Sequence, residues 1–173
     1  MKNTFKLKNV LAIAAVSATA FFTTQSMSNA AESVSAKVAP AWELPNVDGQ
    51  TVRSADFKDK VVVVVFWATW CPPCRAEIPG FIELEKKYSA KGLTIVGVSV
   101  DQASTSVVKS FAQKQGINYP VLVADEKIQT AFGGISALPT TFIIDRKGNI
   151  AKQHVGFAKR EELEAEIKPL LAP

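Results

Sequence analysis

The chain is poor in the residues that usually carry chemistry. Its 173 residues include one histidine and two cysteines. A structural zinc site wants four ligands, so that inventory is too small for one. Long apolar runs are missing too. The longest candidate, Val10 to Phe22, is 13 residues diluted by Ser17 and Thr19, whereas a membrane-spanning helix needs roughly 20. No internal repeat or low-complexity tract interrupts the sequence.

Excess charge is also lacking once the N-terminus is set aside. The chain carries 20 Lys+Arg and 16 Asp+Glu. Lys2, Lys6 and Lys8 precede the apolar stretch, and Ser28-Asn29-Ala30 supplies small residues before Ala31. That pattern reads as an export signal over residues 1–30, cleaved between Ala30 and Ala31. Without it the chain has 17 basic against 16 acidic residues. The high isoelectric point thus belongs largely to the signal and does not argue for nucleic acid or anionic membranes. No cysteine stands directly after the apolar stretch, which argues against a lipoprotein anchor. The expected destination is the periplasm or another extracytoplasmic space. After a short leader (31–39), residues 40–173 suit one domain with a hydrophobic core.

What the chain does have is concentrated in residues 61–79. Five consecutive valines and Phe66 form a β-branched run, suited to a strand buried on both faces. At Cys71 the pattern changes. Pro72 and Pro73 suit a first helical turn, where a missing N–H costs nothing. The two cysteines therefore fall at a strand-to-helix junction, with Cys71 at an exposed helix start and Cys74 one turn in, partly covered. Helix N-termini favour a thiolate. Cys71 then reads as the nucleophile and Cys74 as the resolving thiol. The bland alternatives are a disulfide staple or half a metal site. A loop this short gives a staple little stabilising power.

The stretch Phe66-Trp67-Ala68-Thr69-Trp70-Cys71-Pro72-Pro73-Cys74 resembles the active site of the thioredoxin superfamily. It is most similar to the TlpA/ResA-like branch of extracytoplasmic thiol–disulfide oxidoreductases. Leu138-Pro139-Thr140-Thr141-Phe142-Ile143-Ile144-Asp145, followed by Lys147-Gly148-Asn149-Ile150, is similar to that family's cis-proline loop and hairpin. The match spans roughly residues 40 to 171. It implies an α/β thioredoxin-like sandwich, with a mixed central sheet flanked by helices and an N-terminal β-hairpin. An uncleaved N-terminal anchor, known in parts of the family, is an alternative to cleavage.

Periodicity sketches the elements. Ala41–Pro45 and Thr51–Arg53 read as a hairpin around Asp48-Gly49. A helix runs from Pro72 to Lys91 and is kinked at Pro79. Leu93–Val100 is a second buried strand, and Ser104–Gln115 a helix with Val107, Val108 and Phe111 inward. Val121–Ala124 is a short strand and Lys127–Phe132 a short helix. Thr140–Asp145 pairs with Ile150–Val155, and Lys159–Leu171 closes the fold.

Candidate site residues follow from spacing and from the resemblance. Glu77 lies three residues after Cys74, on the same helix face. Many thioredoxins carry an aspartate where this chain has Val65, so Glu77 is the one charged group expected near the dithiol. The resemblance gives it the handling of protons. By the same resemblance Pro139 is cis, and the backbone of Leu138 pairs with substrate. Trp70 and Pro72 are expected to form contact surface, while Trp67 packs beneath the motif. His154 reads as an edge-strand residue. The charges of Lys159, Arg160, Glu161, Glu162, Glu164 and Glu166 read as a solvated helix face.

These residues point to an enzyme without cofactor or metal that acts on protein disulfides by dithiol exchange, with a monomer expected; the resemblance implies that its direction is reduction. By analogy its electrons come from a membrane thiol carrier, and apocytochrome c is a candidate substrate. Two rival readings belong to other classes. A peroxiredoxin-type peroxidase wants Pro-x-x-x-Thr-x-x-Cys, but this chain has Val64 and Ala68 at those places. A copper-delivery protein of the same fold adds a histidine and commonly spaces its cysteines by three residues.

Overall fold

A computed structural model describes residues 37–172. The export signal read over residues 1–30 and most of the leader lie outside the described residues. Among the described residues no helix is long and apolar enough to cross a membrane.

The valine run is the central strand, β3 (Val61–Trp67), and every residue in it is buried. Side chains alternate across a strand, so the run divides between two cores. Val61, Val63, Val65 and Trp67 pack on one face with Ile78, Phe81 and Leu84 of helix α1 (Pro72–Tyr88). Val62, Val64 and Phe66 pack on the other with Trp42, Phe132 and Phe142. An unbroken apolar run is needed because neither face of β3 meets water.

Around β3 the sheet runs β5-β4-β3-β6-β7. Strand β4 (Leu93–Ser99) is parallel to β3, and β5 (Val121–Val123) is parallel to β4. On the other side β6 (Thr140–Ile144) and β7 (Ile150–Val155) are antiparallel. Helices α2 (Thr105–Gln115), α3 (Glu126–Ala131) and α4 (Arg160–Leu170) complete the sandwich. The N-terminal hairpin, β1 (Glu43–Pro45) and β2 (Thr51–Arg53), is a separate two-stranded sheet. It is stitched to β5 by the Val47 N–H donating to the Val121 carbonyl at 3.0 Å.

Three local expectations are corrected. Val107 is 48% exposed, because the buried stripe of α2 is Val108 and Ala112, with Phe111 half-buried. Position 107 stands a further 100° round the helix. Helix α1 stops at Tyr88, and a short 3-10 turn, Ser89–Lys91, leads to Gly92 at φ 90°. Nor is α4 merely a solvated face. Glu164 accepts from Lys87 Nζ at 2.6 Å, from Arg160 at 3.1 Å and from the Tyr88 hydroxyl, which pins α4 to α1. Glu166 meets His154 of β7 at 2.7 Å.

Gly97 of β4 shows how tightly the centre is packed. A Cβ there would stand 3.0 Å from Trp67 Nε1 and 3.3 Å from the Tyr119 ring. Both rings are buried, and Trp67 also packs on Phe111 at 5.6 Å between centroids. Gly97→Ala is therefore expected to cost about 1–3 kcal/mol by overpacking. Thermal unfolding measures this, and an unchanged midpoint would show that the rings yield freely.

Candidate active site

The register gathers the site at one edge of the sheet. Trp67 pairs with Ser99 on β4, Phe66 with Thr140 on β6, and Thr140 with Val155 on β7. This is the edge at the carboxyl ends of the parallel strands, where α/β folds place their sites. Beyond Trp67 the chain turns into α1 with Cys71 as its N-cap.

Cys71 and Cys74 form a disulfide with their Cα atoms 5.3 Å apart. The Cys74 N–H donates to Cys71 Sγ at 3.3 Å. Pro72 and Pro73, which have no N–H, occupy the first two helical positions. Cys71 thus receives one backbone donor where an ordinary helix start offers more. Arg75 does not fold back toward the sulfur. Its guanidinium lies 5.7 Å from the Phe111 ring centroid, on α2.

The expected exposure of Cys71 is corrected. Cys71 is 3% exposed and Cys74 2%, so accessibility does not separate them in the oxidised protein. Both belong to the core cluster under α1. The open surface is instead Trp70, 66% exposed, with Pro72 and Pro73. What still distinguishes Cys71 is its N-cap position and its N–H donor.

The second loop lies beside the first. The Leu138–Pro139 bond is cis. Pro139 is buried, Leu138 half-buried, and the Pro139 carbonyl accepts the Gly156 N–H at 2.8 Å. That bond fastens the Val155–Phe157 segment to the proline loop. Val155 and Phe157 are 63% and 54% exposed.

Glu77 is not a surface glutamate. It is 4% exposed, and its Oε1 accepts the Ala158 N–H at 2.7 Å. Its Oε2 is buried without a partner. Burial penalises the carboxylate and raises the pKa from 4.5 to about 7, although the Ala158 N–H and the charge of His154 pull it down. A carboxyl balanced near neutrality can take and return a proton. It also borders a cavity of ≈ 230 Å³ lined by Gly80, Phe157 and Arg160.

One acidic group was missed. Asp101, just beyond β4, accepts the Thr69 N–H at 2.9 Å, the Thr69 hydroxyl at 2.5 Å and the Ser99 hydroxyl at 2.8 Å. Thr69 is two residues from Cys71. The available signal was position, since Asp101 ends a parallel strand at the carboxyl edge. His154 lies on β7 against Glu166, and among the described residues no group of three potential metal ligands exists.

The AhpC/TSA family model matches residues 36–153. The chain belongs to the AhpC/TSA family. Similar proteins carry thiol–disulfide oxidoreductase or thioredoxin-like names. Thiol-disulfide oxidoreductase ResA of Bacillus thuringiensis (strain Al Hakam) is 35% identical over 136 residues, covering 78% of this chain and 77% of that protein. Thioredoxin-like protein YneN of Bacillus subtilis (strain 168) is 37% identical over 131 residues, covering 75% and 76%. A thioredoxin-family thiol:disulfide interchange protein from Chlorobium tepidum TLS superposes with a TM-score of 0.74 at 37% identity, covering 79% of this chain and 97% of that one. The exposed lipoprotein thioredoxin of Streptococcus pneumoniae strain TIGR4 gives a TM-score of 0.67 at 31% identity, covering 76% and 100%. The expected TlpA/ResA-like membership and thioredoxin-like sandwich therefore hold, and this member of the family is a thiol–disulfide oxidoreductase. Peroxidase chemistry finds no matching motif. Ala68, where that motif has threonine, is a buried residue without a hydroxyl, and Val64, where it has proline, is a buried apolar residue.

Proposed function

We propose that the protein is an exported protein-disulfide reductase working by dithiol exchange. The carrying observation is the single N–H donor on Cys71 Sγ. The Cys71 thiolate attacks a substrate sulfur, forming a mixed disulfide and releasing one substrate thiolate. Cys74 loses its proton to Glu77 and attacks Cys71 Sγ, releasing the second thiolate and closing the enzyme disulfide. Glu77 Oε2, unpartnered in the oxidised protein, is the atom that holds the proton. Trp70 and Pro72 form the docking surface, and the Leu138–Pro139 backbone pairs with the substrate strand.

The donor count sets the direction. A stabilised reduced form makes a dithiol oxidising. With two prolines at the helix start, Cys71 is stabilised less than in an oxidant that keeps those N–H groups. The reduction potential is expected nearer that of thioredoxin, about −270 mV, than that of DsbA, about −120 mV. Equilibration against dithiothreitol or glutathione measures it. A value above about −180 mV would remove the physical basis for a reductase.

Export follows from the signal read over residues 1–30, and the exposed lipoprotein thioredoxin with the same fold supports an extracytoplasmic setting. Outside the cytoplasm, electrons must be delivered through the membrane, so a membrane thiol carrier is the proposed reductant. Apocytochrome c, whose haem-binding cysteines must be reduced before attachment, is the proposed substrate. The enzyme acts as a monomer.

A further inference from the structure

Between the end of β3 and the start of α1 lie four residues, Ala68 to Cys71, that carry the reacting sulfur and the exposed Trp70. Backbone bonds brace the two ends of this loop, the Arg75 N–H donating to the Cys71 carbonyl at 3.1 Å among them. The Val100 N–H donates to the Trp67 carbonyl at 2.9 Å, and the Cys71 N–H to the Ala68 carbonyl at 3.2 Å. None of the three reaches Thr69 or Trp70. Trp70 has little core contact to fix it, since it is 66% exposed. Its placement depends on the backbone on either side, and on the Thr69 side that backbone is held by Asp101.

The hold is specific. Asp101 Oδ2 accepts both the Thr69 N–H and the Ser99 hydroxyl, while Oδ1 accepts the Thr69 hydroxyl. Ser99 is 1% exposed and paired with Trp67 in the sheet, so the carboxylate is itself braced against β4. The Asp101 N–H returns a bond to Ser99 Oγ at 3.2 Å. Among the described residues Asp101 has no ion-pair partner. Its acceptor capacity is committed to the loop and to the strand beneath it. Bonds to an ionised acceptor are roughly twice as strong as neutral ones. Such a carboxylate is a fastening for the loop.

We propose that Asp101 is a positioning residue for dithiol exchange, clamping Thr69 so that Trp70 and Cys71 are presented to a protein disulfide in a fixed orientation. The inference rests on the oxidoreductase reading above. Exchange needs three sulfurs nearly in line, and a misplacement of about 1 Å can cost about 10²-fold in rate. A small disulfide can adjust its own approach to a shifted sulfur. A folded substrate that must first dock on Trp70 cannot, so the clamp matters most for protein substrates.

The test compares Asp101→Ala and Asp101→Asn in the full chain, with insulin and a small aromatic disulfide as substrates. Asp101→Ala is expected to lower kcat/KM for insulin by about 10–100-fold, with a raised KM. Its rate with the small disulfide should stay within about threefold of wild type, as should the equilibrium constant against dithiothreitol. Asp101→Asn should recover most of the insulin activity. Its amide oxygen can accept the Thr69 N–H while its NH₂ donates to the Thr69 hydroxyl, which can rotate. Equal losses on both substrates, tracking the unfolded fraction, would reduce Asp101 to a stability residue and overturn the proposal. So would a Asp101→Asn variant as impaired as Asp101→Ala with a shifted equilibrium constant, because charge and not clamping would then be responsible. Failure of the wild-type protein to reduce insulin would instead sink the reductase reading. The clamp would still be decided by acrylamide quenching of Trp70, the one exposed tryptophan among the described residues. An increase in Asp101→Ala supports it, and identical quenching overturns it.

Discussion

Cys74→Ser is expected to lose multiple turnover by at least about 10³-fold, as removal of a residue that acts within one covalent sequence does, and to leave a covalent record. The nucleophile still attacks a substrate disulfide, but nothing resolves the mixed disulfide, which accumulates and survives non-reducing electrophoresis. Cys71→Ser should lose as much turnover and trap nothing. Exposure cannot make this distinction, because both sulfurs are buried almost equally. The asymmetry comes from the helix. Cys71 stands at its N-cap with the Cys74 N–H pointed at its sulfur, whereas Cys74 is inside the first turn. Serine is close to cysteine in size, so each variant should fold, with a modest cost for burying a hydroxyl. Trapping on Cys71→Ser and not on Cys74→Ser would place the nucleophile at Cys74 and reverse the proposed roles.

The residues fixed by chain-local chemistry were the legible ones. Five valines cannot face water on either side, and two prolines after a cysteine suit a helix start, so β3, α1 and their junction follow from composition and spacing. The boundaries of β7 at Ile150 and Val155 were legible for a similar reason, because Lys147-Gly148-Asn149 marks the turn before them. What sequence could not give was coverage by distant chain. Glu77 is expected beside the dithiol from its spacing, but its burial follows only once Ala158, 81 residues away, is folded over it. Cys71 looks exposed until the core closes under α1. Asp101 looks like the polar end of a strand until Thr69, 32 residues earlier, is brought to it. The burial of Cys71 and Glu77 and the role of Asp101 each depend on a tertiary contact that leaves no periodic trace.

Glu77 supports the second large expected effect, through its burial. Its carboxyl has a pKa of 4.5 when solvated and about 7 in the folded protein, chiefly because burial penalises the anion. Between those values the folded state holds more protons than the unfolded state. Stability therefore falls as pH rises from about 4.5 to 7 and levels off above. The difference corresponds to about 3 kcal/mol in all, with a slope no steeper than about 1.4 kcal/mol per pH unit. Glu164 and Glu161, whose pKa values are lowered, act in the opposite sense, but their loss falls below 4.5. Glu85 is raised as Glu77 is, so only comparison with a variant isolates Glu77. Glu77→Gln cannot ionise and should remove most of that slope. Its amide would place donors where Oε2 has no partner, so some absolute stability is lost at low pH. The same change should lower the rate of disulfide exchange about 10²–10⁴-fold, the usual contribution of a positioned acid or base, and remove the step near pH 7 from its profile. Denaturant unfolding and stopped-flow reduction, each across pH 4.5 to 8, measure the two effects. A loss of slope with an unchanged rate profile would make Glu77 a buried carboxyl that destabilises the fold without handling the proton of Cys74.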